Sequence, residues 1–334
     1  MRILVTGAAG FIGSNFVRRT LAGAYPWLDD PHVVVLDKLT YAGTRESLAA
    51  AAEGHESRLR FVYGDVCDMG LLLDLMSGVS LVVHCAAETH VDRSIANCAD
   101  FVRTNVLGTH ALLEAALRCG TEKVVLVSTD EVYGSIGAGS WDEESPLLPN
   151  SPYAASKAAG DVLARGYHRT HGLPVVTTRC SNNYGPFQFP EKLIPLFVTN
   201  LLSGEKVPLY GDGMCVREWV HVDDHCLGIA LTAAKGRPGE VYNIGSGTEL
   251  TNREVTDRLL RLLGADWSRV EHVEDRKGHD RRYSVDHSKI AAELGYRPQI
   301  PFSRGLEDTV RWYTENRSWW EGLKKERLRP GHAG

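Results

Sequence analysis

The sequence predicts an α/β protein: a doubly wound parallel sheet carrying a smaller, mixed α/β lobe toward the C-terminus. Three observations lead there. Short β-branched runs alternate with longer helical patterns through the first half, the runs are apolar almost throughout, and the first passes straight into a glycine-rich turn. Alternating strands and helices imply crossover connections and hence parallel pairing. Continuously apolar strands imply burial on both faces, which helices on each side of a sheet provide.

The expected strands are ILVTG at the start, VVVLD at 33–37, RFVYGD at 60–65, LVVHCA at 81–86, KVVLVST at 123–129 and PVVTTRC at 174–180. After about position 181 the rhythm becomes irregular and rich in Pro, Asn, Gly and aromatics, with no internal repeat, low-complexity segment or linker. The later part is therefore expected to pack over the sheet as a lobe. One late helix is marked by the capping-box spacing of Thr251 and Glu254 ahead of Val255, Leu259, Leu260, Leu262 and Leu263, beside the turn Gly245-Ser246-Gly247.

A chain of 334 residues with 43% hydrophobic content can bury a sizeable core. No apolar run reaches the ~18 residues of a membrane span, and the start moves directly into a strand without a signal-peptide pattern, so a cytosolic protein with no membrane partner is expected. Seven cysteines, none in a C-x-x-C pair, read as reduced thiols instead of a disulfide framework or zinc knuckle. The net charge of −5 is spread along the chain and speaks against nucleic acid. An anionic ligand must then be held by local cations.

Thr6-Gly7-Ala8-Ala9-Gly10-Phe11-Ile12-Gly13 follows the first strand and opens a helix. Glycines fall where a tight turn, a close backbone approach and close helix packing are needed, and the helix N-terminus can take a pyrophosphate, as in a Rossmann-type fold. Asp37 ends the second strand 24 positions after Gly13 (37 − 13), near the offset of about 20 for an acid that bonds the adenosine ribose. That favours NAD; Lys38 beside it could accept a 2′-phosphate, so NADP stays open at this point. Asp65, ending the third strand, is placed for an adenine amino group.

Tyr153 and Lys157 lie four apart in SPYAASK, where Ser151 can cap a helix and Pro152 suits its first position. Both side chains then share one face. A nearby ammonium together with an oxidised nicotinamide lowers the phenol's pKa, so that Tyr153 can take a proton from a sugar hydroxyl. LVSTDEVYGS at 126–135 sets Asp130 and Glu131 side by side at the end of an apolar strand. Two buried acids are costly unless something uses them.

TGAAGFIG, HCAAETHVDRS, STDEVYG, YAASK and SNNYGP together resemble the extended short-chain dehydrogenase/reductase superfamily and, within it, the dTDP-glucose 4,6-dehydratase family; the likeness runs from Met1 through HDRRYSVD near position 286. YxxxK marks only the superfamily, whereas TDE within STDEVYG and SNNYGP with EKLIPL are much narrower. The resemblance implies NAD contacts from Gly7, Gly10, Phe11, Ile12, Gly13, Asp37, Lys38, Leu39, Thr40, Asp65, Val66, Cys85, Ala86, Ala87, Thr104, Tyr153, Lys157 and Asn183. It places Thr129 with Tyr153 at the sugar hydroxyl. For a dTDP-glucose substrate it implies Glu88 or Thr89, Asn182, Lys192, Leu193, Pro208, Tyr210, Arg217, Asn252, His279, Arg282 and Tyr283, with Arg217 and Arg282 as the cations for the diphosphate. Residues 1–180 plus about 221–245 would form the NAD domain, and 181–220 plus 246–330 the nucleotide-sugar lobe. A homodimer through residues 101–118 and 153–170 is also implied.

The reaction implied is oxidation at C4, loss of water across C5 and C6, and return of the hydride to C6. Tyr153 is the base for the C4 hydroxyl, Glu131 the base at C5, and Asp130 the acid that protonates the departing hydroxyl. Asp130 must then hold a proton that Glu131 lacks. Neighbouring residues on a regular strand also point to opposite faces, so the strand is expected to stop near Thr129 and Asp130 to begin a helical turn.

The sequence departs from the family pattern at Lys277, where proline is usual, and at Cys215, where asparagine is common, both near the expected nucleotide pocket. His221 and His225 lack a convincing third ligand, so no metal is expected, and Asp223 or Asp224 is read as a helix cap. His84 and Cys85 read as packing near the cofactor, and Trp312, Trp319 and Trp320 as cover for a helix face. A nucleotide-sugar 4-epimerase and another nucleotide-sugar 4,6-dehydratase remain rivals of the same fold, and a catalytically silent dinucleotide sensor one of another class. The paired acids favour the 4,6-dehydratase.

Overall fold

The computed structural model describes residues 1–327; of the expected lobe boundary at 330, residues 328–330 lie outside it. In chain order the strands are β1 (Arg2–Thr6), β2 (His32–Asp37), β3 (Leu59–Tyr63), β4 (Leu81–His84), β5 (Lys123–Thr129), β6 (Val175–Cys180), β7 (Asn182–Tyr184), β8 (Val207–Tyr210), β9 (Val216–His221), β10 (Val241–Ile244), β11 (Glu249–Thr251) and β12 (Val270–Val273). A seven-stranded sheet has the order β10-β6-β5-β4-β1-β2-β3, and every pairing in it is parallel. The six expected runs are its first six strands; β10, which was not among them, adds at the β6 edge.

Residue alternation divides the core between the two faces of this sheet. Ile3, Val5, Val33, Val35, Val83 and Val125 pack on one side. Leu4, Val34, Leu36, Val82, Val124 and Leu126 pack on the other, against Leu112 and Leu113 of helix Thr109–Cys119. Because both faces are dry, the strands carry no polar face, and the polar groups collect at their C-terminal ends.

After β6 the chain builds a lobe from the sheet β11-β9-β7 and the parallel pair β12-β8. Its core includes Phe197, Val198, Val255, Leu259, Leu306, Tyr313 and Trp320. The capping box forms as the spacing requires: Glu254 N donates to Thr251 Oγ1 at 3.1 Å and Thr251 N to Glu254 Oε2 at 2.7 Å. Trp320 is fully buried. Trp312 and Trp319 pack on Phe187 with ring centroids 4.5 and 5.6 Å away, so the tryptophans cover helices as expected.

The cap of helix Val222–Lys235 is a correction. His221, not Asp223 or Asp224, occupies the cap, its Nδ1 accepting from Asp223 N at 3.2 Å. Helix geometry starts directly at the end of β9, which leaves Asp223 and Asp224 in the first turn, where acids favour the helix dipole. Asp224 instead accepts from Gln299 N and Ile300 N at 2.8 and 2.9 Å, tying the lobe's returning chain to this helix. Among the described residues no helix is long and apolar enough to cross a membrane.

Candidate active site

β1 and β4 are neighbours from which the chain leaves in opposite directions, the position where parallel sheets open a crevice at their strand ends. A cavity of about 460 Å³ lies there. Gly7 has φ +68°, and a Cβ on it would lie 2.5 Å from Ala86 Cα. A Cβ on Gly13 would lie 2.7 Å from Gly7 O. Only bare backbone fits this cradle. Gly10 opens helix Phe11–Leu21 with no side-chain cap, so the helix's first N–H groups face the crevice as an anion site.

Asp37 is fixed by two backbone donors, Leu39 N at 2.8 Å and Ala9 N at 2.9 Å. Burial raises its pKa, and these N–H groups act against that. Lys38 Nζ lies 3.2 Å from Thr104 Oγ1 and 3.7 Å from Asp65, so its charge is already matched inside the protein. Thr104 belongs to a π-helical stretch, Val102–Gly108, of the kind found at functional sites.

β5 ends at Thr129, and Asp130–Tyr133 form a 3₁₀ turn. Thr129 is its cap: the hydroxyl accepts from Glu131 N at 3.3 Å and reaches Asp130 Oδ1 at 3.2 Å. The strand therefore breaks where the sequence expects, and both acids line the same cavity. Their surroundings differ. Burial pushes Asp130 well up, reinforced by the acids Glu131 and Glu218 and opposed by Arg217. Burial also raises Glu131, with Asp280 adding to the rise, while the cations Lys192, Arg217 and Arg276 oppose it without cancelling it. Asp130 Oδ2 is buried with no hydrogen-bond partner within the protein, as a proton donor kept for a ligand would be.

Ser151 caps helix Pro152–His171, accepting from Ala154 N at 3.1 Å, and the helix delivers Tyr153 and Lys157 to the cavity. Lys157 Nζ donates to Val127 O at 2.8 Å. In the protein alone the Tyr153 phenol is pushed well up, first by burial and then by Glu131 and Cys180, with the Thr129 hydroxyl acting the other way. The Lys157 ammonium is engaged by a backbone carbonyl, and burial lowers its own pKa as well.

Nearly all the residues expected for cofactor and substrate line this one cavity, from Gly7 and Val66 through Thr89, Asn182, Asn183 and Lys192 to Pro208, Tyr210, Asn252 and His279. Leu39, Asp65 and Arg282 do not line it. Arg282 instead clasps Glu249 at 2.6 and 2.7 Å, and Asp65 is drawn to Lys38 and Arg103, each 3.7 Å away. Arg217 keeps its place, its guanidinium 4.4 Å from the Tyr283 ring. The sequence reading missed Arg276 and Asp92, which line the cavity and pair at 2.7 Å. They lie 184 positions apart, and no local pattern announces such a pair.

A dinucleotide cradle, a Tyr-Lys pair and two unlike acids in one cavity define a nucleotide-sugar enzyme of the extended short-chain dehydrogenase/reductase class. The GDP-mannose 4,6 dehydratase family model matches residues 4–309. The chain is 58% identical to a dTDP-glucose 4,6-dehydratase of Streptomyces niveus, covering 100% of this chain and 99% of that one. It is 59% identical to another of Streptomyces antibioticus, over 99% of this chain and 97% of that one. The structure of DesIV, a dTDP-glucose 4,6-dehydratase from Streptomyces venezuelae with NAD and TYD bound, superposes with a TM-score of 0.94 at 65% identity, over 97% of this chain and 100% of that one. The chain belongs to the dTDP-glucose 4,6-dehydratase family.

Proposed function

We propose that this chain converts dTDP-D-glucose to dTDP-4-keto-6-deoxy-D-glucose and water with an internally recycled NAD. Besides membership of the family, the observation that carries this reading is the seating of Asp130 and Glu131 on one turn directly after Thr129, in the cavity that holds Tyr153 and Lys157. Plain oxidation or 4-epimerisation has no use for a second acid-base pair.

Gly7, Gly10 and Gly13 with the following helix would hold the pyrophosphate, and Asp37 the ribose; a cradle that any Cβ would fill fits that group. When bound, NAD supplies the hydride acceptor for C4 and the donor for C6, and its cationic nicotinamide lowers the neighbouring phenol's pKa. Tyr153, with Thr129, takes the C4 hydroxyl proton, and Lys157 holds positive charge beneath that site. The 4-ketone acidifies the C5 hydrogen. Glu131, whose carboxylate form is favoured by the cations Lys192, Arg217 and Arg276 against the effect of burial, removes it. Asp130, kept protonated by burial and its acidic neighbours, gives its proton to the C6 hydroxyl, which leaves as water. Arg217 supplies charge for the diphosphate.

The same reading divides the chain into an NAD domain, residues 1–180 plus about 221–245, and a nucleotide-sugar lobe from the remainder. A homodimer forms through the helical stretches at 101–118 and 153–170, where Val102, Leu107 and Val162 are 45, 56 and 60% exposed. Seven free thiols fit a reducing cytoplasm.

The test is incubation of the protein and NAD with dTDP-glucose, followed by mass and NMR analysis. The expected product has lost one water and carries a 4-ketone and a 6-methyl group, without net NADH. Clean conversion to the galactose epimer would overturn the reading.

A further inference from the structure

Cys215, Asp275 and His279 converge at the rim of the nucleotide-sugar cavity, which His279 itself lines, so a metal held by them would share His279 with the proposed substrate site. Cys215 ends the turn between β8 and β9, and the other two lie in the loop that follows β12. Because β8 and β12 pair in parallel, with Tyr210 opposite Val273, the two loops leave the same end of that small sheet side by side. Gly211 N donates to Val273 O at 3.0 Å and ties them together. Cys215 Sγ lies 3.6 Å from His279 Nδ1, which lies 2.6 Å from Asp275 Oδ1. All three donor atoms fall within 4.8 Å of one another.

From this cluster the geometry points to a zinc-class metal site built from Cys215 Sγ, His279 Nδ1 and an Asp275 carboxylate oxygen, with a fourth position open to water. A thiolate, an imidazole and a carboxylate form a mixed donor set that suits Zn²⁺ and its analogue Co²⁺, and excludes the oxygen-seeking Mg²⁺ and Ca²⁺. The Asp275 side chain is 49% exposed and offers the ion an entry, while Cys215 is buried and His279 nearly so.

Three guanidiniums stand close by, and two are already matched. Arg281 is bound by Asp212 at 3.0 and 3.1 Å, and Arg276 by Asp92 at 2.7 Å. Arg217, the third, faces the Tyr283 ring. Asp275 is thus left to His279 and the Arg276 backbone N–H. Binding displaces the thiol proton and the proton shared between Asp275 and His279, so affinity rises with pH.

Titrating the reduced full-length protein with Co²⁺ tests the site, since a thiolate ligand gives cobalt a charge-transfer absorption that nitrogen and oxygen ligands do not. One equivalent should produce that band, and Zn²⁺ should displace it. Removing an outer-shell partner alone costs ~10–100-fold in metal affinity, so losing a direct ligand should cost ~100-fold or more. Cys215→Asn should abolish the band. Asp275→Ala, on the exposed side of the loop, should keep the thiolate band but weaken the metal. An unchanged band in Cys215→Asn, no band at one equivalent in the parent, or an unweakened Asp275→Ala would each overturn the site.

Discussion

Asp130 and Glu131 are adjacent in the chain and opposite in environment. The first faces acids, the second cations, and both are removed from bulk water. Replacing Glu131 with Gln should lower kcat by ~10²–10⁴, the range for losing a positioned acid or base. C4 oxidation would survive, so NADH absorbance should build up while C5 hydrogen exchange with deuterated solvent disappears. Exchange at the parent rate would rule Glu131 out as the base.

Asp130 also makes a stability prediction. Its folded-state pKa lies well above its value in an unfolded chain. The stability carried by its bound proton is therefore complete below the unfolded value, ~3.9, and is lost as pH rises through the raised folded value. Asp130→Asn has no such loss. Melting curves should show the variant gaining on the parent as pH rises from acid to mildly alkaline, by about 1.4 kcal/mol for each tenfold difference in proton affinity between folded and unfolded states. Its turnover should fall at every pH. A stability difference independent of pH would contradict the protonation assigned here.

At the scale of elements, chemistry collects where regular structure stops. The end of β5 turns into the 3₁₀ turn that aims both acids, and the N-terminus of helix Pro152–His171 presents Tyr153. Ser151→Ala removes the cap bond to Ala154 N and should cost ~0.5–2 kcal/mol in denaturant unfolding. The glycine turn after β1 is less forgiving. Gly7→Ala combines a left-handed backbone with a collision against Ala86, and should lose bound NAD outright, measurable by cofactor release on denaturation. Retention of NAD in that variant would mean the cradle does not hold the pyrophosphate.

For the whole molecule, the cavity belongs to neither half alone: Gly7, Tyr153 and Thr104 come from the large sheet and its helices, and Lys192, Arg217, Asn252 and Tyr283 from the lobe. The proposed homodimer predicts that charging both Leu107 and Val162, each to Glu, yields monomers in sedimentation velocity. Dimers persisting in that variant would place the interface elsewhere.

Much of this was legible in sequence, because apolar runs, glycine spacing and a Tyr-Lys pair are local records of local physics. A strand buried on both faces must be apolar, and a phosphate cradle must lack Cβ atoms. The six main strands and the capping box at Thr251 could thus be read directly, and the break at Thr129 followed once resemblance gave both acids work on one substrate. Resemblance supplied the roles of scattered residues such as Lys192 and Asn252, which carry no periodic signal. The folded structure alone decided that Arg282 belongs to Glu249, that His221 is the helix cap, and that Arg276 meets Asp92 across the cavity. It also decided which carboxyl is surrounded by acids and which by cations. A side chain's charge environment depends on segments distant in sequence, and only folding brings those within reach of one another.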